Sequence, residues 1–115
     1  MTIDEVDELA GALEGLRRTV RDGLVQWRYH GRLVARQLDE TSIVLRSELP
    51  ARDARCRRSP QTFSVAPRFR AHMMVVADLA RGSSVEIEDA LRAAWELQRR
   101  AEPPRLSGRR PPRAR

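Results

Sequence analysis

The chain contains no lysine and no asparagine, and all 22 of its basic residues are arginine. Lysine and asparagine codons are AT-rich, so the first reading of this bias is a GC-rich genome rather than guanidinium chemistry. A single cysteine, Cys56, excludes an internal disulfide framework and any cysteine-rich zinc site. Long apolar runs are missing as well. The longest, residues 73–77, is five residues, whereas a membrane-spanning helix needs about 20. The opening Met1-Thr2-Ile3-Asp4-Glu5 has neither the basic segment nor the apolar stretch of a secretory leader. These absences lead to the expectation of a soluble cytoplasmic protein. No phosphate-binding glycine loop, paired-carboxylate constellation or nucleophile elbow occurs, and no cofactor or enzymatic activity is expected.

What is present is charge, unevenly spread. Residues 1–16 carry five acids and no base, whereas residues 17–70 carry thirteen arginines and five acids. The last fifteen residues hold four prolines, five arginines and one large apolar side chain, Leu106. Such a composition buries too little to offset its ordering entropy. The expected organisation is one folded domain over 1–100 followed by a disordered tail over 101–115. A basic middle attracts phosphate, although a chain this rich in arginine also clusters it by chance.

Periodicity gives the elements. Ile3, Val6, Leu9, Ala10, Leu13 and Leu16 share one helical arc, and Asp4, Glu5, Asp7, Glu8 and Glu14 take the other side. Thr2 and Glu5 fit a capping box, and Gly15 a stop. Alternation predicts strands at 25–30, 33–38 and 42–46. A short helix over 50–58 with Pro50 in its first turn follows, then strands at 62–65 and 73–79. A last helix, capped by Ser83, buries Ile87, Ala90, Leu91, Ala94 and Trp95. The order α-β-β-β-α-β-β-α predicts an α+β fold, an antiparallel sheet with helices packed on one face.

Loop length sets which side chains share a face. A two-residue turn after Tyr29 would put Trp27 and Tyr29 beside Arg32 and Arg36, a poor core. A three-residue turn, His30-Gly31-Arg32, opposes Tyr29 to Leu33 and Trp27 to Ala35, and a second three-residue turn adds Ile43 and Leu45. The core face is then Trp27, Tyr29, Leu33, Ile43 and Leu45. The solvent face carries Gln26, Arg28, Val34, Arg36, Leu38, Val44 and Arg46.

The element order and several of its words resemble the MmcQ/YjbR family of small bacterial proteins. The words are Leu13-Glu14-Gly15, Trp27-Arg28-Tyr29-His30-Gly31-Arg32-Leu33-Val34-Ala35-Arg36, Ser59-Pro60-Gln61-Thr62-Phe63-Ser64-Val65, His72-Met73-Met74-Val75-Val76-Ala77-Asp78-Leu79 and Ile87-Glu88-Asp89-Ala90-Leu91-Arg92-Ala93-Ala94-Trp95-Glu96-Leu97. They span roughly residues 3–98. The resemblance implies a CyaY-like α+β fold. Members are often labelled DNA-binding, with no agreed activity and no catalytic motif to carry over. Members usually place leucines in the middle helix, where this chain has Arg55-Cys56-Arg57-Arg58.

Three groups of arginines are candidate phosphate contacts with duplex DNA: Arg28, Arg36 and Arg46 on the sheet, Arg52, Arg55, Arg57 and Arg58 in the middle helix, and Arg68 and Arg70 in the following loop. The plainer reading of each is a solvated surface. Phe69 is the one aromatic expected outside the core, so base stacking has little to work with. Arginines around Cys56 favour its thiolate, but an ordinary half-buried cysteine is the simpler reading. His30 and His72 lack the spacing of a metal site. The competing function is a protein-interaction or small-ligand adaptor. A continuous basic stripe would favour DNA, and an apolar pocket rimmed by a few arginines would favour the adaptor.

Overall fold

A computed structural model of the chain describes residues 1–101. The tail expected at 101–115 lies outside the described residues except for Ala101, which is still helical. The elements are α1 (Ile3–Gly11), β1 (Leu16–Arg21), β2 (Leu24–Tyr29), β3 (Arg32–Asp39), β4 (Ser42–Arg46), α2 (Leu49–Arg58), β5 (Phe63–Ser64), β6 (Met74–Asp78) and α3 (Ser84–Ala101). A 3-10 turn, Pro67–Phe69, sits between β5 and β6. All strand pairs are antiparallel, in the order β1-β2-β3-β4-β6-β5. This is the expected α+β class. No helix among the described residues is long and apolar enough to cross a membrane.

The expected order lacked one strand. Residues 16–21 form β1, an edge strand exposed from Arg17 onward. Its sequence, Leu16-Arg17-Arg18-Thr19-Val20-Arg21, has almost no apolar alternation because it has little core to face. Its signal is Asp22-Gly23, the dipeptide of a tight hairpin turn. Both residues are left-handed, with φ 53° and 79°.

The β2–β3 turn corrects the expected register. His30 and Gly31 are left-handed as well, with φ 49° and 86°, and they make the two-residue turn rejected on sequence grounds. Tyr29 therefore opposes Arg32, and Arg28 opposes Leu33. A bulge then inserts Val34, so that Trp27 still opposes Ala35. The β3–β4 hairpin repeats the device: Asp39 opposes Ser42, Leu38 is the extra residue, and Gln37 opposes Ile43. Strand twist favours the two-residue turn, while the core needs the other alternation, and one added residue reconciles them. Leu33 consequently shares the side of Arg28 and leaves the core. Val34, expected in solvent, is fully buried in it.

The three helices pack against the face carrying Trp27, Ala35, Ile43, Leu45, Val75 and Ala77. Val6 and Ala10 of α1, and Ile87, Ala90, Leu91, Ala94 and Trp95 of α3, complete that core, with Cys56 of α2 packed at its margin. Tyr29 is only partly buried against it. The capping box of α1 is present, Thr2 Oγ1 accepting from Glu5 N–H and Glu5 Oε1 from Thr2 N–H. Trp95 Nε1 donates to the Glu14 carbonyl at 2.8 Å, which ties α3 to the link between α1 and β1.

That link turns at Gly15, with φ +80°, where a Cβ would stand 2.6 Å from the Tyr29 ring. Gly15→Ala is expected to cost about 1–3 kcal/mol, from the left-handed backbone and the ring contact together. The urea midpoint measures it, and an unchanged midpoint would contradict the close approach.

Candidate nucleic-acid interface

Alternation along the strands puts Arg28 and Arg36 on the side of the sheet away from Trp27, as the sequence suggested; Arg46 has the same parity but, at the end of β4, also lines the cleft between α2 and α3. The additional strand contributes Arg17 and Arg21 to the same side, with Arg17 directly opposite Arg28. Sequence reasoning missed these two because it missed β1. Arg18 points the other way and pairs with Asp7 of α1 at 3.3 Å. The carboxylates on the arginine side, Asp39 and Asp78, both flank Ser42 at one corner. Each is occupied locally. Asp39 Oδ1 accepts from the Ser42 hydroxyl and Thr41 N–H, which hold its carboxyl below the usual range. Asp78 Oδ1 accepts from the N–H groups of Ala80 and Arg81.

Among the described residues, Arg17, Arg21, Arg28, Arg36 and Arg46 form no ion pair. Arg28 is oriented by neutral acceptors, the Gln26 side chain at 3.0–3.2 Å and the Gly31 carbonyl at 3.0 Å. Arg46 has a buried Nε with no partner. This face is not simply wet, as Val44 and Phe69 are buried, apart from the main core. Phe69 is therefore no stacking platform for bases. Its ring instead carries two cations: the guanidinium carbons of Arg36 and Arg68 lie 5.8 Å and 4.9 Å from its centroid. Arg70 is exposed in the same loop.

The middle-helix group separates from this surface. Arg52 is buried, and its Nη1 donates to the carbonyls of Phe69, Arg70 and His72, with Nε donating to Asp53. Arg55 is also largely buried, pairing with Asp89 of α3 at 3.1 Å and lying over Phe63. Both are structural, which corrects their assignment as phosphate contacts. Arg58 faces Glu86 of α3 at 3.8 Å, and Arg57 is exposed on the same helix. α2 thus belongs with α3 on the helical side and does not extend the arginine face. A poorly apolar helix docks there through the buried guanidiniums of Arg52 and Arg55.

A cleft of about 290 Å³ opens between α2 and α3, with Ala51, Ala90, Ala93 and Leu97 beside Arg46, Arg55 and Arg100. Glu48 and Glu96 line it too. Its charge is mixed, and Arg55 is already neutralised by Asp89.

Cys56 is half-buried, and burial pushes its thiol pKa up against the opposing effect of Arg52. This is the ordinary half-buried cysteine that the sequence favoured, with burial outweighing the pull of the neighbouring arginine. Stability from the neutral thiol is present below its ordinary value of 9.0 and is lost as pH rises through the raised one. Iodoacetamide is expected to alkylate Cys56 more slowly than a free cysteine at mildly alkaline pH. Equal rates would contradict the packing. His30 stacks on Tyr29 at the β2–β3 turn, centroids 4.0 Å apart, and His72 is exposed ahead of β6. Among the described residues no three His, Cys, Asp or Glu side chains group as metal ligands.

No protein-family model matches this chain, and no curated protein matches it. The likeness to MmcQ/YjbR proteins rests on the sequence words alone.

Proposed function

We propose that this chain is a small non-enzymatic protein of the MmcQ/YjbR type, cytoplasmic and bacterial, that binds duplex DNA through phosphate contacts from its arginine face. One observation carries the reading. Arg17 and Arg28 stand directly opposite each other with no carboxylate to share. Directly opposed like charges cost stability, by a fraction of a kcal/mol for such a pair. A counter-charge arriving from outside removes that cost, and guanidinium forks match phosphate oxygens. The acids of α1 lie across the sheet from these arginines, so the body is charge-polarised. A polarised body orients itself toward a polyanion before contact.

The adaptor alternative has less support, because the α2–α3 cleft mixes arginines with glutamates. Scarce aromatics and amides imply contacts to the backbone rather than to bases, and hence little sequence preference. The test is a titration of the full chain with random-sequence duplex DNA at several salt concentrations. Binding should weaken linearly in log salt, with a slope of ~0.9 per phosphate neutralised. Salt-independent binding, or none at low ionic strength, would end this reading.

A further inference from the structure

We infer that Arg36 and Arg68, mounted together on the Phe69 ring, form a discrete site for backbone phosphodiester groups, and that buried Arg52 is the positioning residue that sets it. The inference rests on the DNA reading above and assigns part of that contact to a particular pair.

Phe69 is buried at 6% exposure although it lies in a 3-10 turn outside the main core. Its side chain brings an arginine of β3 and an arginine of the loop onto one ring. A guanidinium stacked on an aromatic face keeps its N–H edges free to donate, and stacking reduces the rotamer freedom lost on binding. Neither arginine is ion-paired among the described residues. Two guanidinium forks held on one ring, neither of them neutralised by a carboxylate, fit phosphate oxygens.

The loop has little else to fix it. Its hydrogen bonds to itself are few: Phe69 N–H to the Ala66 carbonyl, Arg70 N–H to that of Pro67, and His72 N–H to that of Phe69. From inside, Arg52 Nη1 lies 3.3, 3.1 and 2.9 Å from the carbonyl oxygens of Phe69, Arg70 and His72. One buried cation therefore gathers three carbonyls of a four-residue stretch and leaves Arg68 and Arg70 outside. Removing it leaves the Arg70 carbonyl without its donor and those of Phe69 and His72 with only the N–H groups of His72 and Met74, and such losses are costly for buried groups. The loop would then relax, and Phe69 with it.

Salt slopes of binding to random duplex DNA test both parts. Arg36→Gln and Arg68→Gln should each lower the slope by ~0.9, and the pair of changes by ~1.8. Phe69→Leu keeps every charge, yet should lower the slope toward that of the double variant. Arg52→Met removes a buried charge and its hydrogen bonds but none of the exposed arginines. With near-UV circular dichroism showing a folded protein, its slope should fall by more than one contact, and Arg52→Lys should restore part of it.

If Arg52→Met does not fold, Arg52→Gln takes its place, and a folded Arg52 variant that keeps the wild-type slope would overturn the positioning role. Wild-type binding with unchanged slopes in Phe69→Leu and in the double variant would overturn the site while leaving the DNA reading intact. No binding by the wild type removes both. Polyglutamate binding that is lost in the double variant, without DNA binding, would overturn it in favour of an acidic protein partner.

Discussion

Replacing Arg17, Arg28 and Arg36 together by glutamine in the full chain is expected to flatten the salt dependence of duplex DNA binding by about three phosphate contacts, roughly 2.7 in slope. At low salt, affinity should fall roughly tenfold or more, because counterion release supplies most of a sequence-independent interaction. Thermal stability should hold or rise slightly, since the opposed Arg17–Arg28 pair is removed. Arg57→Gln and Arg92→Gln, exposed on the helical side, are the controls and should leave the slope near that of the wild type. A second comparison replaces Arg105, Arg109, Arg110, Arg113 and Arg115, which lie beyond the described residues. If that variant loses all affinity while the sheet variant loses none, the sheet is not the binding surface.

Most of the fold could be read because most of it obeys a single period. α1 and α3 carry apolar stripes, β4 and β6 pack on both sides, and the capping box at Thr2 follows from residues three apart. The errors fall where local and tertiary preferences conflict. β1 has no buried side, so its pattern looks like solvent, and only Asp22-Gly23 marks the hairpin. At His30-Gly31 the pattern of faces matches the partner of Trp27 but not the turn, because a bulge lets a tight turn coexist with the other alternation. Bulges leave no periodic trace.

The site was legible in part for the same reason. Arg28 and Arg36 follow from alternation, which survives the bulge, whereas Arg46 at the end of β4 also reaches the α2–α3 cleft. Arg52 and Arg55 could not be told from surface arginines, since what buries them is a loop and a helix distant in sequence. Asp89 lies 34 residues from Arg55. Phe69 misled in the opposite sense. A loop aromatic reads as exposed, but Arg36 and Arg68 cover it.

The indole of Trp27 provides the largest expected stability effect. It is 1% exposed, opposes Ala35 and Arg18, and donates from Nε1 to Asp7 Oδ1 at 2.8 Å. Asp7 also holds Arg18 Nε through its other oxygen at 3.3 Å, so one carboxylate pins α1 to two neighbouring strands. Trp27→Ala should cost about 3–5 kcal/mol in cavity and lost burial. Domains commonly have only about 5–15 kcal/mol in total, so the urea midpoint of that variant should fall by a large fraction of the wild-type value. Trp27→Phe refills most of the space and removes only the indole donor, leaving Asp7 with Arg18. It should cost about 1–3 kcal/mol, the range for a hydrogen bond to a charged acceptor. Urea midpoints of Trp27→Phe, Asp7→Ala and the double variant form a cycle. Additive losses would mean that the indole contributes volume alone and that Asp7 acts through Arg18 only. Because this contact lies on the opposite side of the sheet from Arg17, Arg28 and Arg36, Trp27→Phe should leave the DNA salt slope unchanged while lowering the midpoint. A slope that fell with it would mean that the arginine face depends on the core beneath it.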